Sequence, residues 1–112
     1  MELNTIDIKF LEDEYSIKVT FKMLATIERV TGKTCSRISM DVVEKKGIAL
    51  DDLASIFNVL LNAETKRMSM DEIQQGVLKI GASAAMMIVM QAIRIGFAGS
   101  ESMSSEESAK KK

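Results

Sequence analysis

IGASAAMMIVMQAIRIGFAG, residues Ile80 to Gly99, carries most of the apolar surface in the C-terminal half of the chain. How it is read decides the fold. Ser83 can cap a helix at its start, and Gly99 can sit just past its end. Ala82, Ala85, Met86, Val89, Ile93 and Phe97 recur at helical spacing as one stripe. Ile88, Ala92 and Ile95 form a second stripe beside it, with Met87 and Met90 in what remains. Only Gln91 and Arg94 interrupt. A helix apolar nearly all round is either deeply buried or keeps a second face for a partner. Its length, about 20 residues, would just cross a bilayer. Arg94 near the middle would cost roughly 2.5–3.5 kcal/mol there. The stretch therefore reads as the core helix of a small soluble domain, with no membrane role.

The remaining composition agrees. The chain has 112 residues, 46% hydrophobic and 28% charged, with a formal net charge of −1. That suits one domain with a modest core and gives no broad pull toward nucleic acid or an anionic membrane. There is no histidine, proline or tryptophan, and Cys35 stands alone, so no internal disulfide is available. A single thiol fits a reducing cytoplasm. Nine methionines exceed the five Phe and Tyr residues together. Methionine fills gaps in cores and also makes surfaces that adapt to varied partners, and both readings stay open.

Upstream of the apolar helix the periods are clear. Ile6, Ile8 and Phe10 alternate with Asp7 and Lys9, and Tyr15, Ile17, Val19 and Phe21 alternate with Ser16, Lys18 and Thr20. Two half-buried strands joined through Leu11-Glu12-Asp13-Glu14 make a hairpin. The period changes to 3.6 at Thr20, a plausible N-cap. Met23, Leu24, Ile27 and Val30 then share one face, Glu28 and Arg29 lie toward solvent, and Gly32 ends the helix. A short helix is expected from Ser39, with Ile38 and Val43 as a hydrophobic staple, Lys45 and Lys46 in its last turn, and Gly47 as its stop. Asp51 and Asp52 open the next helix, whose Leu53, Ile56, Phe57, Leu60 and Leu61 form the cleanest stripe in the chain. It ends at a polar turn, Glu64-Thr65-Lys66-Arg67. Ser69 and Glu72 make a capping box, stapled by Met68 and Ile73, for a helix with Ile73, Val77 and Ile80 inward. Gly81 separates it from the methionine-rich helix. The fold class is α+β: an N-terminal two-stranded hairpin, then four to five helices in one domain over residues 1–99. Residues 100–112, ESMSSEESAKKK after Ser100, lack apolar periodicity and read as a disordered, serine-rich charged tail.

No catalytic constellation can be drawn. Histidine-dependent nucleophile–base pairs and zinc sites lack their ligands. Gly96-Phe97-Ala98-Gly99 lacks the rest of a phosphate-binding loop. The acid pairs Asp51/Asp52 and Asp71/Glu72 sit at predicted helix starts, where they favour the dipole. The expectation is a non-enzyme with no cofactor and no metal. A DNA-reading helix needs basic and polar residues toward the groove, and the last helix offers only Gln91 and Arg94.

IDIKFLEDEYSIKVTFKMLATIERVTG followed by GIALDDLASIFNVLLNAE resembles the small tail assembly chaperones of long-tailed bacteriophages and gene transfer agents. The likeness spans about Ile6 to Gly81. It rests on a two-stranded start running into a helix with a leucine, an acid and a closing glycine, here Leu24, Glu28 and Gly32. The acidic helix start before Leu53, Ile56, Leu60 and Leu61 is also similar. The resemblance implies a chaperone in the bacterial host cytoplasm. Such a protein binds apolar helical segments of the tape measure protein before the tail tube polymerises around it, and uses no cofactor. The tail tube protein is a further implied partner. Met86, Met87, Met90, Arg94 and Phe97 are the expected partner-binding residues, on a surface suited to helix-in-groove recognition. An uncovered patch of that kind favours self-association, so a homo-oligomer is expected. A structural tail component retained in the particle, or a small non-catalytic adaptor or regulatory protein, DNA-binding included, is the competing expectation.

Overall fold

The computed structural model describes residues 4–63 and 68–111, with side chains as far as Phe97. Alternating polarity writes the first element. β1 (Thr5–Phe10) pairs antiparallel with β2 (Asp13–Lys18), in register from Thr5 opposite Lys18 to Phe10 opposite Asp13. Ile6, Ile8, Phe10 and Ile17 are buried on one face, while Asp7 and Ser16 pair on the other through a 2.7 Å hydrogen bond. The connection is tighter than the four-residue turn expected. Only Leu11 and Glu12 lie outside the strands, at φ of 52° and 71°. Positive φ at both central residues is the requirement of a type I′ hairpin turn, which matches strand twist but favours Asn and Gly. Val19 extends the pairing: its N–H donates to the Asn4 carbonyl at 2.7 Å, and the Asn4 amide donates back at 2.8 Å.

α1 (Phe21–Thr31) begins and ends as its sequence predicts. The Thr20 hydroxyl accepts from the Met23 N–H at 3.2 Å, and Gly32 closes the helix at φ 70°. Met23, Leu24 and Ile27 face inward, but Val30 is 47% exposed. Phe21, which continues the strand alternation in sequence, is 84% exposed, because the helix starts there and turns it outward.

α2 (Cys35–Val43) is capped by Thr34, five residues before the expected cap Ser39. The Thr34 hydroxyl accepts from the Arg37 N–H at 3.0 Å, and the Glu28 carboxylate accepts from the Cys35 N–H at 2.8 Å. These acceptors satisfy first-turn N–H groups, so the helix need not wait for Ser39. Ile38 is a core residue inside the helix, with no role as a staple before it. Lys45, Lys46 and Gly47 follow α2 in a loop, with Lys45 and Gly47 at positive φ. Glu28 is half-buried between α1 and α2 where solvent was expected.

α3 (Leu50–Leu61) has no side-chain cap, and Asp51 and Asp52 supply the negative charge its first turn favours. Asp52 also meets Lys33 at 2.9 Å. All five predicted stripe residues are buried, together with Ala54. Asn62 closes the helix and holds the segment beyond it, accepting from the Met68 N–H at 2.7 Å and donating to the Met68 carbonyl at 3.1 Å. The predicted polar turn, 64–67, lies outside the described residues.

α4 (Met70–Ile80) carries the full capping box of Ser69 and Glu72. Its Ile73 and Val77 are buried and Ile80 is half-buried. Gly81, at φ 93°, serves both neighbours: its N–H donates to the Val77 carbonyl and its carbonyl accepts from the Ala85 N–H. The chain bends by 108° there between α4 and the first part of α5 (Ala82–Lys111). Ser83 therefore lies inside α5 rather than capping it, and Gly99 does not end the helix. The backbone of the range expected as a tail enters the structure as the continuation of α5 to Lys111, with Lys112 outside the described residues. The segment is free of proline and contains Glu, Met, Ala and Lys, which propagate a helix well.

These elements give the α+β arrangement of one hairpin and five helices. α5 packs against β1, α1, α2, α3 and α4 at once. At the centre, the Phe10 and Phe57 rings stack at 5.4 Å between centroids, both fully buried. The Phe10 ring lies flush against Gly76 of α4, so that a Cβ there would overlap it. Gly96 of α5 approaches Val19 and Leu24 closely, a Cβ falling 2.8 and 2.9 Å from their side chains. Among the described residues no single helix is long and apolar enough to cross a membrane.

Two substitutions test this packing by urea unfolding. Gly76→Ala would gain up to about 1 kcal/mol in an ordinary helix interior. Against Phe10 it is expected to destabilise by roughly 1–3 kcal/mol, the cost of overpacking. Glu12→Gly places the preferred residue at the second turn position and should stabilise by about 0.5–1 kcal/mol.

Candidate functional site

The structure divides the circumference of α5. Ala85, Val89, Ala92, Ile93 and Gly96 are buried, and Met86, Ile88, Met90 and Ile95 flank them half-buried. Met87, Gln91, Arg94 and Phe97, spaced by four, three and three, form an exposed seam. Facing that seam is the outer side of α2. The two helices enclose a groove made of two adjoining clefts. One, of about 410 Å³, is lined by Val42, Val43, Met87, Met90, Gln91 and Arg94. The other, of about 420 Å³, is lined by Cys35, Ser36, Ser39, Met90, Ile93, Arg94 and Phe97. Met90 and Arg94 belong to both, so the two clefts adjoin.

Four of the five residues expected to bind a partner therefore lie along one groove: Met87, Met90, Arg94 and Phe97. Met86 does not. It is turned into the protein, packed against the core and near Gly47 in the loop after α2. The opposite wall, Val42, Val43, Ser36 and Ser39, does not follow from a helix capped at Ser39 with Ile38 stapled to Val43. The signal was present in Thr34: a cap there puts Ser36, Ser39 and Val43 at helical spacing on one side.

Apolar side chains stand uncovered at the groove. Val43 is 62% exposed and Met87 64%. Among the described residues Arg94 is the one charged residue lining either cleft, and it makes no hydrogen bond or ion pair with any of them. The nearby Arg37 is engaged with Asp41 at 3.3 Å. The floor is Cys35, whose thiol is 3.8 Å from the Leu24 carbonyl. Burial pushes this thiol up to about 11, helped by the negative charge and hydrogen bonding of Glu28. A thiol so protonated is a weak nucleophile. Among the described residues no group of three His, Cys, Asp or Glu side chains is placed to hold a metal ion.

Two other depressions exist. One of about 240 Å³ lies between α3 and α4 beside the exposed Leu50 and Leu78. Another, of about 420 Å³, lies between α1 and α3 and is bordered by Lys18, Lys22, Asn58 and Asn62.

The raised thiol makes a prediction with a defined sign. The unfolded thiol loses its proton near its ordinary value of 9.0, the folded one only near 11. Its contribution to stability is complete below the lower value and is lost as pH rises from there through the higher one. Stability of the wild type should fall in that window relative to Cys35→Ala, by at most about 1.4 kcal/mol per pH unit. Urea unfolding at pH 8 and pH 10.5 on both proteins measures it.

The chain matches no protein-family model, no curated protein and no solved structure.

Proposed function

We propose that the protein is a tail assembly chaperone of a long-tailed bacteriophage or gene transfer agent. It acts in the host cytoplasm and holds apolar helical segments of the tape measure protein in its α2–α5 groove. The observation that carries this reading is the groove itself, two adjoining clefts between two helices with Val43, Met87 and Phe97 uncovered along them. From Met87 to Phe97 the seam spans about 15 Å at 1.5 Å per residue, enough for three turns of a helix. An amphipathic helix laid there would cover apolar side chains on both walls. Methionines at Met87 and Met90 let the surface repack around different sequences, which suits a chaperone that must hold many segments and release each. Left uncovered, the same surface supports association with further copies of the chain. No reacting group is needed for such work.

The test is capture of the tagged protein from cells producing whole particles, with bound proteins identified by mass spectrometry. The wild type is expected to recover a very long helical tape measure protein, and purified particles to lack the chaperone. Val43→Lys with Met87→Glu changes two exposed positions, so helical circular dichroism should be unchanged while recovery falls at least tenfold. Retention of the protein in finished particles would instead make it a structural component. Undiminished capture by the double variant would place binding elsewhere.

A further inference from the structure

Resting on that groove reading, we infer that the groove selects an apolar helix carrying one carboxylate, held by Arg94. Arg94 lines both clefts, and among the described residues it is the only charged side chain in them and has no partner. It projects from α5 one turn before Phe97 and two turns after Met87. An apolar helix lying in the groove would strip water from this guanidinium. Removing hydration from a cation without a compensating acceptor opposes binding. A ligand with an aspartate or glutamate at that level replaces the lost water with two charge-assisted hydrogen bonds, since the planar fork matches a carboxylate. Ser36 and Ser39 border the same cleft and offer only hydroxyls, so they do not neutralise the charge.

The position of Arg94 fixes where the acid must fall. The ligand needs aliphatic side chains at i, i+3 or i+4, and i+7 over about three turns. Its carboxylate must sit one turn from the end that lies over Phe97. A wholly apolar helix is penalised, and so is a helix with a lysine there. The groove is thus expected to distinguish acidic amphipathic helices from membrane-type helices of equal hydropathy.

Synthetic helical peptides test this by fluorescence anisotropy with the full chain. Three peptides share one aliphatic pattern and differ at the single site, as Glu, Gln or Lys. The Glu peptide should bind wild type roughly five- to tenfold more tightly than the Gln peptide at low salt, and the margin should shrink as salt screens the pair. Arg94→Gln should erase the preference while still binding the Gln peptide, and Arg94→Glu should prefer the Lys peptide. Equal binding of Glu and Gln peptides by wild type overturns the carboxylate inference and leaves the groove reading standing. Failure of all three to bind overturns both. Sedimentation of wild type and Arg94→Gln covers the remaining occupant: wild-type self-association abolished by the substitution would make a second copy the ligand and overturn the inference.

Discussion

The fold depends on one contact among three elements distant in sequence. The Phe10 ring at the end of β1 lies between the Phe57 ring of α3 and the bare backbone of Gly76 in α4. A two-stranded hairpin has too little surface to stand alone in water. Here its buried face is complete only because α4 lets an aromatic ring reach its axis. Gly96 makes the corresponding allowance on α5, beside Val19 and Leu24. In both helices a position that weakens local helix formation is what permits the tertiary contact. The core around them is apolar, with no polar or charged residue buried among those described.

Much of this was legible from period and punctuation. The hairpin, the α3 stripe, the Thr20 and Ser69 caps and the Gly32 and Gly81 breaks follow from local chemistry, and local chemistry fixes them. What failed to show in the sequence depends on partners far along the chain. α2 starts early because Glu28, seven residues upstream, reaches its first N–H. Phe21 fits a strand by alternation but falls outward once the helix begins. The turn at Leu11-Glu12 carries no hairpin signature, since neither residue favours positive φ, and the strands impose it. Gly76 and Gly96 look like helix weaknesses until the side chains that occupy their space are known.

The groove illustrates the same limit. α5 alone suggests a methionine face, and three of its proposed residues, Met87, Arg94 and Phe97, share the seam, with Met90 half-buried beside it. The wall that makes the seam a groove comes from α2, whose start was misplaced. Met86 shows the opposite error, for it was grouped with its neighbours by composition though one residue of helix turns it by about 100°. The chemistry of the surface is mixed in a useful way. Flexible apolar side chains give adaptable area, while one unshielded guanidinium adds a condition on what covers it.

The order of the elements also governs how the protein is made. Phe10 leaves the ribosome long before Gly76, against which it must pack, and α5 comes later still. At about 5–20 residues per second, several seconds separate the two. Through that interval the first apolar strands have no finished core to enter, and their turn does not close them unaided. The nascent chain must spend its synthesis as loosely ordered N-terminal segments that condense only when the last helix arrives.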